Sequence, residues 1–211
     1  MLLQTLRVGP LAVNCYIVGD ESSREVVVID PGGDVSKIVE MLRQMRARVT
    51  AIILTHAHFD HIMGIQGVKD NTGAPLLIGV DEAPILSSAE EQGKFFGLTI
   101  PNPPAPDRLV QDGEIVSTGS VQLQVITTPG HTPGGICLWS EKDKALFSGD
   151  TLMRGGIGRT DFPGGSMTDE LRSIRTKLLT LPLDTRVYPG HGPVTTIAEE
   201  KGFNPFLQNY V

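Results

Sequence analysis

All five histidines of the chain fall in short loop-like segments, where a metal site would want them. Three stand in the run Thr55-His56-Ala57-His58-Phe59-Asp60-His61. His56 and His58 are two residues apart, so in an extended segment both imidazoles leave the same side. Asp60 and His61 follow where a helix is expected to open, from Ile62 onward. The run therefore offers two imidazoles to one cation and a carboxylate plus an imidazole to a neighbour. Neutral imidazole suits zinc, iron and manganese, and a carboxylate broadens the choice. Ordinary loops do not gather three histidines and an aspartate in six residues.

The other two histidines share one local solution. His131 ends Val125-Ile126-Thr127-Thr128-Pro129-Gly130-His131, and His191 ends Val187-Tyr188-Pro189-Gly190-His191. In each, an apolar strand-like run delivers the chain to an edge and Pro-Gly turns it sharply. Asp150 closes a third such run, Ala145-Leu146-Phe147-Ser148-Gly149-Asp150. Taken alone, an aspartate there would cap the next segment. Beside the histidines it supplies a second carboxylate. The set then holds seven hard or borderline ligands, the number for two divalent cations and a bridging water.

His56-x-His58-x-Asp60-His61, followed by His131, Asp150 and His191, resembles the ligand set of the metallo-β-lactamase superfamily. Asp30, in Val27-Val28-Ile29-Asp30-Pro31-Gly32-Gly33, matches that family's first motif, where it supports the metal loop without being a ligand. The resemblance runs from about Asn14 to Phe206. In detail it is nearest the short bacterial glyoxalase II-like hydrolases, through Gly130-His131-Thr132-Pro133-Gly134, Phe147-Ser148-Gly149-Asp150-Thr151-Leu152, Gly158-Arg159 and Gly190-His191-Gly192-Pro193. It implies an α/β fold, a four-layer αββα sandwich, as a single domain over residues 1–211. It also implies a ligand division. His56, His58 and His131 would hold one cation, Asp60, His61 and His191 the other, and Asp150 would bridge, with zinc as the metal and iron or manganese as alternatives. Asp60 and Asp150 are the expected catalytic carboxylates. A water shared by two cations loses a proton near neutral pH and becomes the nucleophile, so no serine or cysteine nucleophile is required.

The implied activity is hydrolysis of an acyl-thiol such as S-lactoylglutathione. Arg159 is the expected contact for a substrate carboxylate. Asp161 departs from the pattern, because glutathione-specific relatives carry an aromatic residue there. The chain's end at Val211 departs too, for many of those relatives continue into a further helical segment. A persulfide dioxygenase-like iron protein is the alternative, since Gly158-Arg159-Thr160-Asp161-Phe162 is similar to that branch as well. A non-catalytic metal-binding scaffold is a lesser one. A β-lactamase is expected less, since its best-known subclass has cysteine at the Asp150 position and is exported.

Positioning these ligands requires strands that end near them. Leu2 to Val8, Val13 to Val18, Val26 to Ile29, Val49 to Leu54, Val121 to Ile126, Ile136 to Trp139 and Ala145 to Phe147 read as strands. Val35, Ile38, Val39, Leu42 and Met45 form a helical stripe, with Asp34 as its expected N-cap. Ile62 to Lys69 and Ile85 to Glu91 read as helices. Leu171, Ile174, Leu178 and Leu179 mark another, on which Arg172, Arg175 and Lys177 read as a solvated face. Ile100-Pro101-Asn102-Pro103-Pro104-Ala105-Pro106 reads as a stiff surface loop rather than a domain boundary, since ligands stand on both sides of it.

Composition narrows the function classes. The net charge of −6 argues against a nucleic-acid partner, and a tRNA-processing nuclease is expected least. Two divalent cations and a hydroxide would bring it to about −3 and make the site locally positive, suited to a small anionic thioester. No stretch approaches the roughly 18 to 20 apolar residues of a membrane span. No secretory leader is apparent at Met1, and Cys15 and Cys137 sit in apolar runs as expected reduced thiols, so the cytoplasm is the expected compartment.

Overall fold

Valine and isoleucine runs that are buried on both faces build the first sheet. In the computed structural model, which describes residues 1–95, 97, 99–100 and 102–208, its order is β1 (Leu2–Val8), β2 (Val13–Gly19), β3 (Glu25–Ile29), β4 (Arg48–Ile53), β5 (Leu76–Gly79) and β6 (Arg108–Val110). β1, β2 and β3 pair antiparallel, and β3 to β6 pair parallel. Val26, Val28, Ile52, Leu76 and Ile78 alternate onto one face and pack with Ile38 and Leu42 of helix α1 (Val35–Gln44). The intervening Val27, Ile29, Ile53 and Leu77 are buried as well. A parallel sheet covered on both sides needs such continuous apolar runs.

The second sheet has the order β14 (Thr195–Thr196), β13 (Arg186–Pro189), β10 (Ala145–Gly149), β9 (Ile136–Ser140), β8 (Val121–Thr127) and β7 (Ile115–Thr118). β9 is antiparallel to both β8 and β10, so those two run the same way, and β13 is parallel to β10. β8, β10 and β13 therefore all end at one edge. His131, Asp150 and His191 are the residues that follow these ends. Cys137, Leu146, Leu152, Val187, Leu171, Ile174 and Leu178 form the core against α6 (Met167–Ser173) and the turns beyond it. The chain forms two compact units, residues 1–110 with 117–121, and 111–116 with 122–211.

Several sequence expectations need correction. Asp34 stands at the start of α1 but is left-handed (φ 46°) and makes no side-chain cap; its Oδ2 accepts from the Gly9 N–H at 3.2 Å instead. The helix expected over Ile62 to Lys69 is two, α2 (Phe59–Ile62) and α3 (Ile65–Thr72), because Gly64 turns its N–H to the Pro31 carbonyl at 2.8 Å. The one expected over Ile85 to Glu91 is also two, α4 (Ala83–Leu86) and α5 (Ala89–Phe95). The helix carrying Leu171 ends as a π turn over Ile174–Leu178, where the Leu179 N–H reaches the Ile174 carbonyl at 2.9 Å. Lys177 on that turn is not part of a solvated face. Its Nζ donates to the Thr127 carbonyl at 2.8 Å and to Thr127 Oγ1 at 2.9 Å. In the proline-rich segment, Pro101 lies outside the described residues, as do the last three residues of the expected 1–211 domain; residues 102–106 are neither helix nor strand.

Candidate metal centre

The first ligand set is built where β3 and β4, parallel neighbours, end together. Asp30 follows β3 with a left-handed backbone (φ 50°) and is buried. Its Oδ1 accepts from the Thr55 N–H at 2.8 Å, and its Oδ2 accepts from Thr55 Oγ1 at 2.6 Å and from His61 Nδ1 at 3.0 Å. The Thr55 hydroxyl has one proton and gives it to Asp30. It therefore accepts from His56 Nδ1, 3.0 Å away. Both rings thus carry their proton on Nδ1 and keep the Nε2 lone pair for a ligand role. This outer arrangement sets the tautomer of metal-ligating histidines generally.

His58 is extended (ψ 146°) immediately before α2, whose first turn holds Asp60 and His61. The rings of His56 and His58 stand perpendicular with centroids 4.9 Å apart, and offer ligand atoms within 4.8 Å of one another. His61 Nε2 lies 3.6 Å from Asp60 Oδ2. Gly32 is required here, for a Cβ on it would come within 2.0 Å of the Asp60 carbonyl oxygen.

The second set lies in the other unit. His131 donates from Nδ1 to the Arg159 carbonyl at 2.7 Å, leaving its Nε2 lone pair available to a cation. That Nε2 and the Nε2 of His191 each lie 3.7 Å from one oxygen, Asp150 Oδ2. Asp150 and His191 are brought together by the parallel pair β10 and β13, whose Gly149 carbonyl and Gly190 N–H bond at 2.7 Å.

These separations fit a cation. Two ligands held at about 2.1 Å around a tetrahedral ion sit roughly 3.4 Å apart. Pairs at 3.6 and 3.7 Å are too long for good hydrogen bonds and close to the spacing of two ligands on one ion. The donors are imidazole nitrogen and carboxylate oxygen, a set that suits zinc, iron or manganese.

Two buried carboxylates here escaped the sequence reading. Glu82 Oε1 accepts from the Ala57 N–H at 2.8 Å, between the two histidines of the first pair. Glu170 Oε2 accepts from the His131 N–H at 2.8 Å. Burial pushes the Glu170 carboxyl up to about 8, against the opposing effect of the His131 and Gly158 amides; the Asp150 charge raises it further. Neither residue stands in a motif, and only the fold brings each to its loop.

Arg159 is half exposed on the loop after β12 (Gly156–Ile157). Its guanidinium donates to both carboxylate oxygens of Asp161, at 2.8 and 2.7 Å, and lies 3.9 Å over the Phe162 ring. The pairing holds Asp161 down to about 2. Asp161, a departure in the sequence, is thus Arg159's partner. Cys15 and Cys137 are buried free thiols, and burial pushes Cys137 up to about 12. Among the described residues no helix is long and apolar enough to cross a membrane.

Comparison with known proteins covers both units at once. Residues 8–191 match the Metallo-beta-lactamase superfamily. The chain is 36% identical over 211 residues to the hydroxyacylglutathione hydrolase GloC of Haemophilus influenzae, covering 99% of each protein. It is 37% identical to the probable metallo-hydrolase YqgX of Bacillus subtilis, covering 100% of this chain and 99% of that one. Among solved structures it is similar to the B3 metallo-β-lactamase BLEG-1 (TM-score 0.92, 36% identity, 99% of this chain and 100% of that one). It is also similar to TTHA1623 in a di-iron-bound form (TM-score 0.88, 37% identity, 98% and 100%). ETHE1 from Myxococcus xanthus is a further neighbour (TM-score 0.81, 32% identity, 97% and 84%). The residues that bring His, Asp and their supporting groups together all lie within this match, and the chain belongs to the metallo-β-lactamase superfamily, with its α/β fold and a His/Asp set able to bind metal.

Proposed function

We propose that the chain is a dinuclear metal-dependent hydrolase of small anionic thioesters. In this reading the two ligand sets serve a common centre: His56, His58 and His131 for one cation, Asp60, His61 and His191 for the other, with Asp150 shared. The observation that carries it is Asp150 Oδ2, equidistant at 3.7 Å from the ligand nitrogens of His131 and His191. A single oxygen facing two imidazoles in this way suits a carboxylate shared between cations. The family match, which contains all seven residues, supports the same division. Zinc is the proposed metal, with iron supported by the di-iron form of TTHA1623. When bound, divalent cations supply Lewis acidity and lower the pKa of water.

The chain's own residues then hold and orient. Asp30 and the Arg159 carbonyl fix the Nδ1 protons of His61 and His131, which keeps each Nε2 aimed as a ligand. Asp60 and Asp150 are the proposed carboxylates for orienting a water. Arg159 is the proposed contact for a substrate carboxylate. Its partner Asp161 is exposed, so that pair is weak in water and a substrate anion displaces it. The name of the similar protein GloC supports the thioester class.

The test is release of free thiol from S-lactoylglutathione and other acyl-thiols under anaerobic conditions, with the metal-loaded protein. A persulfide dioxygenase is the second reading, favoured by the likeness to ETHE1. Oxygen uptake with a persulfide, and no thiol release, would establish that reading and end the first. A β-lactam belongs in the same panel because of the likeness to BLEG-1. A cytoplasmic location is proposed on the buried, reduced cysteines alone.

A further inference from the structure

The turn that presents His131 is held from one helix at several points. The Gly130 carbonyl accepts from the Ser166 N–H at 2.8 Å, and the Pro129 carbonyl accepts from Ser173 Oγ at 2.7 Å. Between these two clips, Glu170 Oε2 takes the His131 N–H itself at 2.8 Å. The contact is intimate: a Cβ on Gly130 would lie 2.2 Å from the Glu170 Cα. Glu170 is fully buried. Gly158 precedes the residue whose carbonyl receives the His131 Nδ1 proton. Gly158 also packs directly on the ring, since a Cβ there would lie 2.8 Å from His131 Cβ and Cγ.

We infer that Glu170 is a positioning residue for His131. It fixes the backbone of that residue by taking its N–H, between the Ser166 and Ser173 clips from the same helix. A buried acid placed only to fill the core would have no reason to take the backbone N–H of the residue whose imidazole the turn presents. The inference rests on the reading of His131 as a ligand, but not on any substrate.

Zinc affinity, measured by competition with a chromophoric chelator, tests it in the full chain. Glu170→Ala should weaken zinc binding about 10- to 100-fold, the usual range for an outer-shell partner. It should also shift the visible absorption of the cobalt(II)-loaded protein. Glu170→Gln, which keeps an acceptor oxygen for the His131 N–H, should stay close to the parent in both measurements. If Glu170→Ala does not fold, Ser173→Ala removes only the outer clip and should give a smaller loss of affinity in the same direction. Parental zinc affinity in Glu170→Ala would overturn the inference. So would a Glu170→Gln variant as weak as Glu170→Ala. So would a variant whose metal-free form melts lower while its cobalt spectrum is unchanged, for that is a packing role alone. A parent protein that binds no zinc, cobalt or iron would instead overturn the ligand assignment and the inference with it.

Discussion

Single residues here divide into those that would touch a cation and those that decide which atom is offered to it. The first kind is tested by removal. His58→Ala and Asp150→Ala should each lower metal content and activity together, as read by elemental analysis and thiol release on the same samples. Activity lost with full metal retained would place the residue elsewhere. Asp30 is of the second kind. Its removal strands the buried Thr55 N–H and the His61 Nδ1–H, at about 1 to 3 kcal/mol for each group left unsatisfied. Asp30→Ala should therefore destabilise even the metal-free protein, by several kcal/mol in denaturant unfolding; a change under about 1 kcal/mol would mean the network relaxes. Arg159→Ala should raise KM for anionic thioesters about tenfold while leaving neutral ones and metal content near the parent values. An equal loss on both substrate classes would show that the residue braces its loop.

At the scale of elements, the strand directions do most of the assembly. β3 and β4 end side by side, which is why Asp30 can reach Thr55 and His61. β8, β10 and β13 end at one edge, which is why residues 131, 150 and 191 meet although they are distant in sequence. Glycines then allow close approach. Gly130 has φ 150° and no room for a Cβ against α6, whereas Gly155 has φ 66° with nothing within 4 Å. Gly130→Ala should therefore cost well over the roughly 1 to 3 kcal/mol of backbone strain alone, and should loosen metal binding. Gly155→Ala should cost no more than that strain. Equal melting temperatures for the two variants would refute the steric argument.

For the molecule as a whole, metal analysis after gentle purification should approach two equivalents per chain of zinc, iron or manganese. A fully active protein with one equivalent would sink the dinuclear reading. Acid sensitivity has a separate origin. The Ser120 hydroxyl and amide, with the Ser22 and Ser23 amides, hydrogen-bond the Asp20 carboxylate and hold it well below the usual range. A depressed carboxyl binds its proton less tightly when folded than unfolded. Its stabilisation is therefore complete above the ordinary carboxylate pKa of about 3.9 and is lost as pH falls below it. The melting temperature of Asp20→Asn should lie below that of the parent at pH 7, and the gap should close toward pH 2.5. A gap independent of pH would assign the effect to packing. Cys15 and Cys137 should resist alkylation in the native protein at pH 8, since burial raises both thiols.

The candidate ligand types and the strands that carry them were legible in the sequence because both are local. Imidazole and carboxylate are ligands by type, a two-residue spacing puts His56 and His58 on one side, and Pro-Gly after an apolar run marks a strand end wherever it occurs. Asp34 and Lys177 show the limit of local reading. The first looked like a helix cap and the second like solvent-facing charge, but Gly9 and Thr127, both distant in sequence, had a stronger claim on them. Glu82 and Glu170 could not be read at all, since a lone glutamate carries no spacing signal. Each meets its loop only when the fold places a backbone N–H against it in a buried setting, where an acid with no such partner would be costly. Donor chemistry was therefore decided by sequence. Which nitrogen of His56, His61 and His131 keeps a free lone pair was decided by tertiary hydrogen bonds to Thr55, Asp30 and Arg159, because the tautomer follows the acceptor that the fold puts beside the ring.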